Sequence, residues 1–305
     1  MSKAVFLGSK PLGLEVLSSM LNHDPTSVAH VQLMDDRHDT RSCFDGFVAT
    51  CELYELPYTV VQDKRESEDN LRSLDFDLAI ISGWYWIFPQ SIFDLAPLGF
   101  FGIHNSLLPS YAGSAPVVWA MINGEEEIGA TLFKMTDDID KGPIYGRASV
   151  RVESQDYVRH VLTKLTTEVG AMMHARYPVL LDGTAESFFK SRNIKPSHGC
   201  PRRLADGRLD FNKTAVRLWR EVKAQSHPYP GAWVATSENN GINDTRFLPY
   251  FPVFTAFLAT GNWYGKIGEV AHVVDDLRTV ICANNKAIIL QITDSLGPRL
   301  GEVLR

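Results

Sequence analysis

His104 and Asp140 are the side chains of this sequence best set for proton transfer. His104 stands in Gly102-Ile103-His104-Asn105-Ser106-Leu107-Leu108-Pro109-Ser110-Tyr111-Ala112-Gly113, where an apolar run ends and a Pro- and Gly-containing loop begins. An α/β enzyme presents a polar side chain in this way, just beyond a buried strand. Asp140 lies in a second loop, Asp137-Asp138-Ile139-Asp140-Lys141-Gly142-Pro143-Ile144, ahead of a Gly-Pro turn that can return a carboxylate to the histidine. Together they would form a general base or electrophile and its orienting partner. A histidine with a distant aspartate is weak evidence alone, because a histidine after an apolar run is more often structural. The elements that would hold the pair therefore matter.

Ala4-Val5-Phe6-Leu7-Gly8 is a short apolar run that leads through Ser9-Lys10-Pro11-Leu12-Gly13 into helical apolar spacing from Leu14 to Leu21. Strand, glycine loop and helix open a doubly wound unit. The loop has neither a Gly-x-Gly-x-x-Gly pattern nor a Walker lysine, so dinucleotide and P-loop binding are unsupported. The pattern predicts strands over Val28–Met34, Tyr58–Val61, Leu78–Ile81 and Phe100–His104, and helices over Cys43–Tyr54 and Val117–Ile122. Alternation of this kind argues for the α/β class, a mostly parallel sheet with helices on both faces. Ligands then sit beyond the carboxyl ends of the strands, where Gly8–Gly13, Gly83–Phe88 and His104 fall.

Gln155–Leu181 reads as one long helix or two short ones closing the first domain, and the polar stretch Ser191–Leu209 reads as a linker. Lys213–Gln225 is an amphipathic helix, and short strands follow over Phe251–Leu258, Gly268–Val274, Thr279–Cys282 and Ala287–Gln291. They suggest a small β-barrel or open sheet. The expected division is a domain over 1–200, then a linker and a small β domain over 201–305. The 305 residues allow an ample core, and 45% apolar with 22% charged residues is a globular composition. A net charge of −6 offers no global basic field for nucleic acid. No run of 18 apolar residues and no signal-peptide layout is present, so a membrane role is not expected. Cys43, Cys51, Cys200 and Cys282 lack Cys-x-x-Cys spacing. They read as reduced structural thiols of a cytoplasmic protein, with no metal site.

The wording around the pair is more specific than the pair itself. Ser106-Leu107-Leu108-Pro109, Gly113, Ala115-Pro116, Trp119-Ala120, Ile122-Asn123-Gly124, Gly129-Ala130-Thr131-Leu132 and Asp140-x-Gly142-Pro143-Ile144 together resemble the folate-dependent formyltransferase family. The junction Arg203-x-x-Asp206-Gly207-Arg208-Leu209-Asp210-Phe211, with Gln225-x-His227-Pro228-Tyr229-Pro230-Gly231-Ala232, is similar to that of methionyl-tRNA formyltransferases. It is also similar to the junction in the enzyme half that formylates a UDP-linked amino sugar. Gly265-Lys266-Ile267-Gly268-Glu269-Val270 is similar to a motif of their OB-like C-terminal domain. The likeness spans nearly the whole chain and is thin from Ser237 to Asn262.

The resemblance implies a Rossmann-like formyltransferase domain that uses 10-formyltetrahydrofolate, without a metal, to formylate a primary amine. The transfer passes through an oxyanion, and the incoming amine must lose a proton. In the family a histidine handles the proton, an aspartate positions it and an asparagine amide holds the formyl oxygen. His104 and Asp140 match the first two. The asparagine position holds Gly102. Asn105 is the candidate replacement, but alternation along an extended strand puts 105 on the opposite face from 102 and 104 unless the chain has already turned. Ser106 or a backbone amide freed by Gly102 are the alternatives.

Family likeness further implies a pterin slot at Trp84, Tyr85, Trp86 and Ile87, against plain aromatic packing. Asp137 and Asp138 either meet pterin nitrogens or form a solvated acidic loop. Methionyl-tRNA formyltransferases carry a basic, glycine-rich insertion after the second strand. The corresponding Met34–Ser42 is short and roughly neutral. A nucleotide-linked amino sugar is therefore the expected substrate, no nucleic acid partner is expected, and a homodimer is compatible. Gly8, Ser9, Lys10 and Ser106 are expected to meet that substrate, or else to form a simple turn. Initiator tRNA is the alternative substrate, and a catalytically impaired binding protein on the same scaffold is the alternative of another class.

Overall fold

Ala4–Gly8 forms strand β1, buried at all five positions. A strand apolar on both faces belongs inside a parallel sheet. In the computed structural model, which describes residues 2–188, 195–236, 250–294 and 297–304, β1 holds that place. Helix α1 (Lys10–His23) leads to β2 (Val28–Met34), α2 (Phe44–Leu53) to β3 (Tyr58–Val61), and α3 (Lys64–Ser73) to β4 (Leu78–Ser82). The single turn α4 (Gln90–Phe93) precedes β5 (Gly99–His104). These strands lie in the order β3-β2-β1-β4-β5, all parallel. The strand order reverses between β1 and β4, which opens a crevice at their carboxyl ends.

After β5 come the short β6 (Ala112–Gly113), α5 (Pro116–Asn123), β7 (Glu127–Lys134) and β8 (Ile144–Arg151). Strand β7 runs antiparallel beside β5, and β8 antiparallel beside β7, completing a seven-stranded sheet. The strand pattern had not announced this pair. Residues of β8 alternate between buried and exposed, as an edge strand with one wet face should. Helix α6 (Val158–Leu181) is continuous, and β9 (His198–Gly199) pairs with β6. Of the stretch expected as a linker, residues 191–194 lie outside the described residues, and His198–Gly199 is strand instead.

Helix α7 (Ala215–Gln225) is followed by β10 (Ala232–Ala235), β11 (Tyr250–Val253), β12 (Thr255–Leu258), β13 (Val270–Val274), β14 (Leu277–Cys282) and β15 (Lys286–Gln291). They make a four-stranded antiparallel sheet, β12-β15-β14-β13, and a two-stranded one, β10-β11. The strand expected over Phe251–Leu258 breaks at Phe254 and serves both sheets. Leu218 and Val222 of α7 share one core with Val234, Phe251, Val253, Val280, Ile288 and Leu290. Each such side chain contributes roughly 1.5–3 kcal/mol by its burial. Most of the segment with thin resemblance, residues 237–249, lies outside the described residues.

The chain divides into two compact units, one of Met1–Pro116, Glu127–Val152 and Val161–Cys200, the other of Val117–Glu126, Glu153–His160 and Pro201–Arg305. Among the described residues no helix is long and apolar enough to cross a membrane.

Candidate active site

Strand β5 delivers His104 at its carboxyl end, one strand over from the crevice between β1 and β4. The ring sits between two oxygens. Nε2 lies 2.9 Å from the Tyr111 carbonyl, and Nδ1 lies 3.7 Å from Asp140 Oδ2. A carbonyl can only accept, so this geometry assigns a proton to Nε2 and leaves the lone pair of the neutral ring on Nδ1, facing the carboxylate. The two side chains are only 12% and 13% exposed, where charges interact more strongly than in water. Asp140 itself is held by the Gly113 N–H at 2.7 Å. Tyr111, with φ 54°, and Asp140, with φ 56°, both adopt left-handed backbone, which costs of order 1–3 kcal/mol at a residue other than glycine. Nδ1 and Oδ2 together present two acceptors to a single donor group, and a primary amine suits both.

Gly102 lies in mid-strand, paired with Ile81 of β4 on one side and Phe133 of β7 on the other. A Cβ placed there would meet Phe133 Cε1 at 3.1 Å and Met135 Cγ at 3.4 Å. The space over position 102 is therefore taken by an aromatic ring, and its backbone is part of a two-sided ladder. Neither a side chain nor a freed amide at 102 is available as a donor.

Asn105 differs from the sequence expectation. The strand ends at His104, and the Ser106 N–H bonds back to the His104 carbonyl at 2.8 Å, which makes a three-residue turn centred on Asn105. Alternation no longer governs position 105, so the objection to Asn105 as the replacement donor falls away. Its Oδ1 is buried and has no hydrogen-bond partner among the described residues.

Ser9, Lys10 and Ser106, expected to meet the substrate, each make hydrogen bonds within the protein. Ser9 Oγ donates to the Gly83 carbonyl, and Ser9 N–H donates to Ser82 O at 3.1 Å. Gly83 has φ 74°, and a Cβ there would lie 2.5 Å from Ser9 O. These contacts draw the loops after β1 and β4 together, and Gly8 is buried beneath them. Lys10 Nζ bonds to Asp36 and, at 2.9 Å, to Asp39. Burial alone would lower its pKa, but bonds to Asp36, Tyr85 and Asp39 outweigh burial and leave it raised. Ser106 Oγ donates to the Ser110 carbonyl at 2.6 Å and is buried. These bonds brace the loops around the crevice.

In the loop after β4, Trp84 packs on the core with Phe88 and Phe100 and meets Trp86 edge-on at 5.4 Å. Tyr85 and Ile87 are exposed, as is Ile139 on the Asp140 loop. Asp137 and Asp138 are exposed, and Asp138 pairs with Lys141 at 3.5 Å. The thiols of Cys51 and Cys282 are pushed up to about 11 and about 12 by burial, so neither offers a thiolate nucleophile. Sequence reasoning missed the backbone groups that hold the pair, the Tyr111 carbonyl and the Gly113 amide. Their only sequence trace is the spacing of Pro109 and Gly113.

The Formyl transferase family model matches residues 22–176, and its C-terminal domain model matches residues 203–299. Methionyl-tRNA formyltransferases of Staphylococcus epidermidis and Staphylococcus aureus are each 27% identical to this chain, covering 98% of it and 93% of their own length. Among solved structures, the sugar 3N-formyl transferase WlaRD, determined with dTDP and 5-N-formyl-THF, superposes with a TM-score of 0.70 at 16% identity, over 97% of this chain and 99% of its own. The N-formyltransferase of Helicobacter canadensis, in complex with folinic acid and dTDP-3-aminofucose, also gives 0.70, at 18% identity, over 96% and 100%. At such identities the structural likeness speaks for the fold, while the family models cover most of both units. The chain belongs to the formyl transferase family and is a formyl-transferring enzyme.

Proposed function

We propose that this enzyme moves the formyl group of 10-formyltetrahydrofolate to the primary amine of a nucleotide-linked amino sugar. Three buried polar atoms lack a partner among the described residues: Ser82 Oγ, Trp84 Nε1 and Asn105 Oδ1. All belong to the carboxyl ends of the adjacent strands β4 and β5, beside the exposed Tyr85 and Ile87. A flat, polar-edged pterin suits such a setting. The folate supplies the formyl carbon. His104 Nδ1 accepts the amine proton as the amine nitrogen bonds to the formyl carbon, and returns it to N10 as the carbon–N10 bond breaks and tetrahydrofolate leaves. Asp140 Oδ2 orients the amine and supports the charged ring. The Asn105 amide donates to the formyl oxygen as negative charge develops there.

The substrate choice rests on one observation: each Lys or Arg around the loop after β2 is already neutralised. Arg37 pairs with Asp35 at 2.6 Å, Arg41 with Asp39 at 2.6 Å, and Lys10 with Asp36 and Asp39. Such cations are poorly placed to release counterions from an RNA backbone. Initiator tRNA is kept as a second reading because the related sequences are methionyl-tRNA formyltransferases and because residues 201–305 hold 13 Lys and Arg against 10 Asp and Glu. Formyl transfer assayed with dTDP- and UDP-linked amino sugars beside methionyl-tRNA separates the two. Turnover of a sugar nucleotide with none on methionyl-tRNA is expected, and the reverse result rejects the reading.

A further inference from the structure

Thr131 is fully buried on β7, directly across from His104, and its hydroxyl has two partners in one loop. Oγ1 donates to the Ser106 carbonyl at 2.6 Å and accepts the Leu108 N–H at 3.1 Å. Its neighbours on the same face of β7 serve the same loop. At Gly129 a Cβ would lie 2.5 Å from Leu107, so the missing side chain makes room for it. Phe133 packs with Leu108 and covers Gly102. Arg147, on the adjoining β8, donates to the Leu108 carbonyl at 2.7 Å. The far end of the loop supplies the Tyr111 carbonyl to His104 and the Gly113 N–H to Asp140.

Resting on the reading of His104 and Asp140 above, we propose that Thr131 is a positioning residue for formyl transfer: its hydroxyl fixes the 105–113 loop and, through Tyr111, the protonation pattern of His104. Among the described residues the ring has no other contact that selects Nε2 as the protonated nitrogen. If the loop start is released, the Tyr111 carbonyl drifts and both tautomers of the neutral ring become populated. The lone pair is then on Nδ1 for only part of the population. Threonine suits the site because one hydroxyl both donates and accepts, which the turn Ser106–Leu108 requires.

The test uses the full chain. Thr131→Val keeps the shape and removes the hydroxyl. Expected results are a kcat lower by about 2- to 10-fold, in proportion to the fraction of rings that keep the lone pair on Nδ1, with KM for both substrates little changed. Thr131→Ser should restore most of the rate. Imidazole 15N shifts of His104 should show the single Nε2–H form in the parent and a mixture in Thr131→Val. If that variant does not fold, Thr131→Cys, of similar volume but a weak hydrogen-bonder, is read in the same way. Unchanged ring shifts overturn the clamp, as does a serine variant as impaired as valine. The ring signal needs no substrate, so altered shifts with unchanged kcat overturn the proposal through the catalytic assignment of His104 instead.

Discussion

His104 takes its protonation pattern from a backbone carbonyl, and Asp140 is anchored by a backbone amide, so neither side chain depends on the other for its place. Removing either should therefore disable transfer without unfolding the chain. His104→Ala and Asp140→Asn are each expected to lower kcat by several orders of magnitude, with melting temperatures close to the parent's, and with a double variant no worse than the weaker single one. Near-normal turnover in either would remove the pair from the mechanism. Asn105→Ala should lower the rate of the chemical step by about a hundredfold or more, with little change in substrate affinity. Single-turnover kinetics separate those two quantities. A mild effect would mean that another group holds the formyl oxygen. Gly102→Asn should not restore a donor, because the added side chain must displace Phe133 and Met135. Overpacking of that kind costs about 1–3 kcal/mol, so thermal unfolding should show destabilisation and kcat should fall. An unaltered melting point with a higher rate would contradict the packing argument.

One face of β7 carries Gly129, Thr131 and Phe133 against the catalytic loop, and the loops after β1 and β2 are tied by Lys10, Asp36 and Asp39. This second tie should be visible in pH dependence. Burial pushes the Asp39 carboxyl up, but bonds from the Arg41 side chain and backbone and from Lys10 more than reverse this and hold it far below the usual range. A depressed folded pKa gives stability that is present above the unfolded value near 4 and is lost as pH falls toward the folded value. Urea melts at falling pH should thus show a loss below about pH 4 that is smaller in Asp39→Asn, and parallel curves would reject the coupling. Much of this architecture was legible beforehand. The strands β1, β4 and β5 announced themselves because buried parallel strands are continuous apolar runs, and β2 and β3 through their shorter apolar stretches. Strands β7 and β8 did not, since Glu127–Lys134 has no clear alternation and Ile144–Arg151 carries two arginines. His104 and Asp140 were readable from their neighbours in sequence. The internal bonds of Ser9, Lys10 and Ser106 were not, because their partners Gly83, Asp36 and Ser110 become partners only when the loops converge.

The charge of the molecule is uneven, with 17 Lys and Arg against 26 Asp and Glu in residues 1–200 and a slight excess of cations beyond them. A single net value hides this asymmetry along the sequence. The units are also interleaved in sequence. The apolar stripe of the amphipathic α7 needs a partner surface, and Leu218 and Val222 find it in the core of their own unit. Two short segments from the first two hundred residues, Val117–Glu126 and Glu153–His160, belong to that unit as well. Trp119 stacks with Arg202 at 4.8 Å, the Ile122 carbonyl accepts from Arg217 at 3.1 Å, and the Ser154 carbonyl accepts from Lys223 at 2.6 Å. Tyr157 meets the backbone of Ala256 at 3.3 Å. A fragment ending at residue 200 would keep Val117–Glu126 and Glu153–His160 but lose every one of these partners. Carbonyls and an indole face left without partners cost about 1–3 kcal/mol apiece where they remain buried. The fragment should therefore melt well below the full chain and bind a hydrophobic dye, although the sheet around β1 retains its own core. Calorimetry of the two chains decides the matter: a fragment as stable as the parent would show that these contacts carry little of the stability of the first two hundred residues.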